Sequence, residues 1–246
     1  MRSAAIPCAV AVLVACGESL APITGVQPTV APFMVRPFEG EFPVVSVFDH
    51  DLPISWDDTN GRVLAWWGET IEALDGHMGY DWVMPEGTPL LAAAAGTVTR
   101  AGIADAQYCP PLGRSTRNGS VVILHQTPEG ERFAIAYAHI SRPAVRVGDR
   151  VAAGQVVAYS GDTGCSTGPH LHLQVEYQSR DEGPGGLGGL GVPAVRGIAV
   201  DPYGWSGPGQ DPWAENPWGA RSTWLWLDAP PVGPVASAAP LTAPGT

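Results

Sequence analysis

The sequence contains no lysine. Its 13 basic residues are all arginine, and 24 acidic residues bring the formal net charge to -11. An acidic chain without a basic run lacks the clustered cations that phosphate contacts require, which argues against nucleic-acid binding and against a polybasic membrane patch. Long hydrophobic runs are also missing. The one apolar stretch near the N-terminus, Ile6 to Ala15, is interrupted by Pro7 and Cys8 and is too short to span a bilayer. Cysteine is scarce, with four in 246 residues.

Glycine (31) and proline (25) are abundant, which favours short strands, turns and loops over long helices, while 45% hydrophobic residues suffice for a core. The expected class is mainly β, with a few short helical pieces and disordered termini. Ser120 to His125 and Phe133 to Ile140 read as two strands joined across Thr127-Pro-Glu-Gly-Glu131. The spacing of Val63, Leu64, Trp66, Trp67, Ile71 and Leu74 fits a short helix or an irregular segment.

The expected organisation has six parts. Residues 1–15 read as a signal peptide, with Arg2 ahead of the apolar run. Residues 16–40 form a flexible tether, and 41–182 the main domain. Residues 183–195 are a glycine-rich loop, 196–228 a tryptophan-rich extension that packs on the domain, and 229–246 a disordered tail. Leu13-Val14-Ala15-Cys16-Gly17 resembles the lipobox of bacterial lipoproteins, which implies cleavage before Cys16, a lipid anchor on it, and an exported protein held at the membrane or envelope. Of the other cysteines, Cys8 leaves with the signal. An oxidising compartment then permits a Cys109–Cys165 disulfide, with free thiols or a metal-ligating Cys165 as alternatives.

Four of the six histidines fall in three short strings: His77-Met-Gly-Tyr-Asp81, Tyr137-Ala-His139 and Pro169-His170-Leu-His172. Imidazole and carboxylate are the ligands of borderline-soft divalent metals. Alternation along a strand at 170–177 puts His170, His172, Gln174 and Glu176 on one face, with Leu171, Leu173, Val175 and Tyr177 on the other. His77 and Asp81 would lie ~13 Å apart on a straight strand, too far to share an ion, so this segment must turn or bulge, with Gly79 supplying the freedom. His50 is expected to cap a turn or face solvent, and His125 to be structural.

These strings, with Pro85-Glu-Gly-Thr-Pro89, Ala94-Ala-Gly-Thr-Val98, Val147-Gly-Asp-Arg-Val151 and Gly161-Asp-Thr-Gly164, resemble the lysostaphin/LytM-type zinc metalloendopeptidases over residues 75–177, in that family's order. The resemblance implies one zinc ion held by His77, Asp81 and His172, with His139 and His170 serving catalysis. It implies an antiparallel β-sheet or sandwich-like domain with an open active-site groove, and peptide bonds of peptidoglycan as substrate. No His-Glu-x-x-His supplies a glutamate base, so His139 and His170 are left for proton transfer and oxyanion stabilisation, with the two roles unassigned. A monomer is expected. The alternative is a non-catalytic adaptor of the same fold that regulates other wall hydrolases.

Three competing motifs are weak. Gly164-Cys-Ser166-Thr-Gly168 fits G-x-S-x-G, but a strand-like segment follows where a nucleophile elbow needs a helix. Gly186-Leu-Gly188-Gly-Leu-Gly191 lacks the strand–turn–helix context of a dinucleotide site. Val147 to Gly154 is similar to the turns of biotin or lipoyl carriers, which the absence of lysine excludes.

Overall fold

In a computed structural model of the chain, residues 30–51, 61–73, 76–178, 197–215 and 221–232 are described. The expected signal segment, Cys16, the glycine-rich loop and most of the expected C-terminal tail lie outside them.

The protein is mainly β, a curled antiparallel sheet with two short 3-10 turns among the described residues. Its strands are β1 (Val44–Ser46), β2 (Arg62–Leu64), β3 (Thr70–Glu72), β4 (Tyr80–Val83), β5 (Pro89–Leu91), β6 (Gly96–Cys109) and β7 (Arg114–Gln126). They continue with β8 (Arg132–Ala138), β9 (Arg142–Pro143), β10 (Arg150–Val151), β11 (Val156–Tyr159), β12 (His170–Gln178), β13 (Gly197–Asp201) and β14 (Arg221–Ser222). No helix among the described residues is long and apolar enough to cross a membrane.

The large sheet runs β1-β4-β12-β8-β7-β6-β10. Strand β12 is its axis. One edge pairs with β8 along its length; the other pairs with β4 over His170 to Leu173 and with β13 over Val175 to Gln178. The β7–β8 hairpin forms as the turn residues suggest, with Ser120 opposite Ala138 and Gln126 opposite Arg132. Strands β6 and β7 continue past the sheet as a long hairpin whose outer part is mostly exposed.

The core lies under the apolar face of β12, where Leu171, Leu173 and Val175 are buried with Tyr80, Trp82, Ile123, Ile135 and Tyr137. The opposite face of β12 is not an open groove throughout. Gln174 and Glu176 are buried as well, since β13 brings Gly197 against the Glu176 side chain. Burial without a countercharge pushes the Glu176 carboxyl up to about 8, although the Gln174 amide donates to it.

Three expectations change. Residues 62–72 form the β2–β3 hairpin and no helix, because β-branched Val63 and Ile71 pair directly across it. Packing begins well before residue 41: Val30, Met34 and Phe38 are buried, and Met34 N donates to Leu225 O while Met34 O accepts from Leu227 N, so apolar side chains override a tether-like composition. At the other end, Pro230 accepts a hydrogen bond from Tyr203, extending the packed chain past 229. The tryptophan-rich extension is divided. Trp213 and Trp226 are buried, Trp205 is half-buried and Trp224 is exposed.

Candidate metal centre and active site

Asp81 on β4 and His172 on β12 are direct cross-strand partners, so both side chains leave one face of the sheet side by side. His77 reaches the same point from the loop before β4. That loop is tied down by Asp49, whose carboxylate accepts from Gly76 N and Leu64 N, and whose N–H donates to His77 O. The turn's left-handed residue is Gly76 (φ 70°). Gly79 has a different role from the conformational one expected of it. A Cβ there would lie 2.5 Å from Leu173 O and 2.9 Å from His172 Cε1, so Gly79 permits close approach.

Three ligand atoms converge. His77 Nε2 is 2.9 Å from His172 Nδ1 and 3.2 Å from Asp81 Oδ1, and His172 Nδ1 is 2.9 Å from Asp81 Oδ1. Tetrahedral zinc with bonds of about 2.0–2.1 Å would separate its ligand atoms by about 3.3 Å, so the triangle fits within a few tenths of an ångström. The far ring nitrogens agree with that use. His77 Nδ1 faces Val47 O at 3.1 Å and Ser46 Oγ at 2.9 Å, and His172 Nε2 faces Gln174 Oε1 at 3.4 Å. Donation to these oxygens leaves the lone pairs of His77 Nε2 and His172 Nδ1 pointing inward. Burial works against charge on Asp81, yet the two imidazoles hold its carboxyl well below the usual range, as an anionic ligand requires. For His77, burial opposes the cation, but the Asp81 carboxylate outweighs it and the net shift is upward.

His139 and His170 flank this triangle. Ala138 is the partner of His172, and His139 follows it off the end of β8. His139 is the one non-glycine residue with positive φ (60°) among those described. Its ring lies 4.6 Å from that of His170 and 5.9 Å from that of His172. Its Nδ1 donates to Thr163 O at 2.7 Å. Burial first, then neighbouring His170 and His172, push its pKa down to about 4, so it is neutral at pH 7. His170 Nδ1 donates to Gly168 O at 2.8 Å, and its Nε2 is 3.9 Å from Asp81 Oδ1. Both rings therefore turn Nε2 toward the same space.

A model of peptidase family M23 matches residues 75–184. These residues form a peptidase family M23 domain. Similar curated proteins include the glycyl-glycine endopeptidase ALE-1 of Staphylococcus capitis, 38% identical over 98 residues, or 40% of this chain and 24% of that protein. Lysostaphin of Staphylococcus simulans is 37% identical over 98 residues, covering 40% and 17%. The peptidoglycan DD-endopeptidase ShyC of Vibrio cholerae is 34% identical over 98 residues, covering 40% and 19%. The chain thus spans about a quarter or less of the length of these relatives. Among solved structures, the lysostaphin catalytic domain from Staphylococcus simulans has 29% identity and a TM-score of 0.35, covering 52% of this chain and 89% of that one. A zinc-containing peptidase from Vibrio cholerae has 26% identity and a TM-score of 0.41, covering 60% and 37%.

Within the M23 domain, Cys109 and Cys165 form a disulfide, with Cα atoms 5.3 Å apart. Ser166 is no nucleophile. Its hydroxyl donates to Asp162, and strand β12 follows where an elbow would need a helix. His125 is structural: it stacks on Phe33 and its Nδ1 donates to Ala95 O. His50, outside the M23 match, is fully buried between Asp201 and Asp211, where a turn-capping or solvated side chain was expected. Sequence reading also passed over Thr163, Asn118 and Gln174. Asn118 Oδ1 accepts from His139 N at 3.3 Å. The Gly-Asp-Thr-Gly string hints at Thr163, strand alternation puts Gln174 on the face of His172, and nothing local marks Asn118.

Proposed function

We propose that this chain is a zinc-dependent endopeptidase that hydrolyses peptide bonds in the cross-links or stem peptides of peptidoglycan. The observation that carries the reading is the placement of two imidazoles, each bonded at Nδ1 to a loop carbonyl and presenting Nε2, beside a His-Asp-His triangle of ion-sized dimensions. The relatives named as a glycyl-glycine endopeptidase and a peptidoglycan DD-endopeptidase supply the substrate class.

His77 Nε2, Asp81 Oδ1 and His172 Nδ1 would hold the ion. The chemistry such an ion would supply is a water of lowered pKa and a polarised scissile carbonyl. His139, kept neutral by burial, accepts the proton of the attacking water at Nε2. His170 is less enclosed, with a side-chain exposure of 14%, and stands near the Asp81 carboxylate. With its Nδ1–H given to Gly168 O, it donates from Nε2 to the developing oxyanion only as the doubly protonated ring. An N-terminal signal with Cys16 as lipid anchor would place the enzyme outside the cytoplasm, on the wall it cuts.

The test is digestion of purified peptidoglycan by residues 17–246, with and without a zinc chelator, followed by mass analysis of the muropeptides. Chelator-sensitive products, lost in His139→Ala and His170→Ala while zinc stays bound, are expected. Absence of any zinc-dependent product from the unmodified sequence would move the reading to a non-catalytic wall adaptor.

A further inference from the structure

The two histidines that flank the metal triangle take their orientation from one loop. Residues 161–169, between β11 and β12, supply both carbonyls that accept their Nδ1 protons: Thr163 O for His139 and Gly168 O for His170. Thr163 grips the His139 turn at two more points and ties it to β7 at a third. Its N–H donates to His139 O at 3.3 Å, its Oγ1 donates to Ile140 O at 2.8 Å, and the same Oγ1 accepts from Gly119 N at 2.9 Å. These contacts hold His139 in the left-handed conformation that a β-carbon disfavours by about 1–2 kcal/mol. On the His170 side, Ser166 Oγ donates to Asp162 Oδ1 at 2.6 Å and closes the loop on itself ahead of Gly168.

The loop is also fixed covalently. Cys165 lies between Thr163 and Gly168, and its partner Cys109 ends β6 at the tip of the long β6–β7 hairpin. The far side of that hairpin, at Asn118 and Gly119, meets His139 and Thr163 again. None of these contacts involves His77, Asp81 or His172.

We propose that the 161–169 loop, clamped by Thr163 and stapled to the hairpin by Cys109–Cys165, positions His139 and His170 for proton transfer independently of the metal triangle. Thr163 and the disulfide are positioning elements in this scheme; neither touches the reacting atoms. The proposal rests on the reading of His139 and His170 as the groups that move protons.

The test compares Thr163→Val, Thr163→Ser and the double variant Cys109→Ala/Cys165→Ala with the unmodified protein, all loaded with zinc. The substrate is cross-linked muropeptide dimers released from peptidoglycan by a muramidase. Nitrogen-15 spectra of the imidazoles report the tautomers. Expected for Thr163→Val and for the cysteine-free protein are a kcat lowered at least tenfold, KM within twofold, one zinc per chain retained, and loss of the pure Nδ1–H form of His139. Thr163→Ser, which keeps the hydroxyl, restores kcat and tautomer. Unchanged kcat and tautomers in both Thr163→Val and the cysteine-free protein would overturn the proposal, as would loss of zinc in proportion to activity. If the unmodified protein does not hydrolyse the dimers, the functional reading fails, and the tautomer spectra still decide whether the loop sets the histidines.

Discussion

Gly79 lies directly against His172: a β-carbon at residue 79 would sit 2.9 Å from the His172 ring, and 2.5 Å from Leu173 O behind it. Backbone on β12 cannot yield without breaking its pairing with Asp81. Gly79→Ala is therefore expected to cost about 1–3 kcal/mol in stability through overpacking. It should also weaken zinc binding at least tenfold by turning His172 out of line. Zinc titration against a competing chelator, with a melting curve alongside, checks both effects.

Gln174 stands behind His172, with Oε1 3.4 Å from its Nε2 and its own amide bonded to Glu176 at 2.8 Å. An outer partner of this kind fixes which ring nitrogen faces the ion. Gln174→Leu removes it at similar volume. Zinc affinity should fall by about 10–100-fold with little change in fold. A competitive chelator titration that gave the unmodified affinity would show that His172 is oriented by packing alone.

His50 bridges Asp201 at 2.8 Å and Asp211 at 2.7 Å, tying the segment before the M23 domain to the extension after it. Burial opposes its charge, but the two carboxylates prevail and raise its pKa from 6.5 to about 9. Asp211 is lowered in turn, whereas the deeper burial of Asp201 leaves that carboxyl raised despite the same imidazole. Because the folded pKa of His50 exceeds the unfolded one, the folded state holds more protons between these values. Its contribution is complete below pH 6.5 and is lost as pH rises through about 9. The melting temperature should fall across that window. His50→Ala, which strands two facing acids in the interior, should cost about 3–5 kcal/mol and flatten the alkaline slope.

Phe38 is 1% exposed and packs edge-on against Trp82, the neighbour of Asp81. Phe38→Ala should destabilise the domain by about 3–5 kcal/mol. A chain that begins at Glu41 loses Met34 and Phe38 together and should fail to give a cooperative melt. Cooperative unfolding at an unchanged temperature would show that residues 30–40 are dispensable after all.

The metal and histidine motifs were legible because each residue's job is set by local chemistry. Alternation along 170–177 placed His170 and His172 on one face, and strand β12 keeps that alternation. The turn between 127 and 131 could be read because its glycine and proline act on their own backbone. What lay beyond reach was everything that depends on residues distant in the chain. The sequence presents His50 as a polar residue between two aspartates, and only the fold carries Asp201 and Asp211 across to bury it. Residues 30–40 have the composition of a tether, yet Met34 and Phe38 find an apolar surface assembled from β4 and the C-terminal segment.

By itself, then, the sequence determined the mainly β class and singled out His77, Asp81, His139, His170 and His172 as candidates that the fold brings together, because strand periodicity and ligand chemistry act at short range. The tertiary structure alone decided which ring nitrogens face inward, why His139 stays neutral, and that one stapled loop holds both flanking histidines. Those properties follow from burial and, for His77 and His139, from hydrogen-bond partners 24 to 31 residues away, which no local pattern encodes.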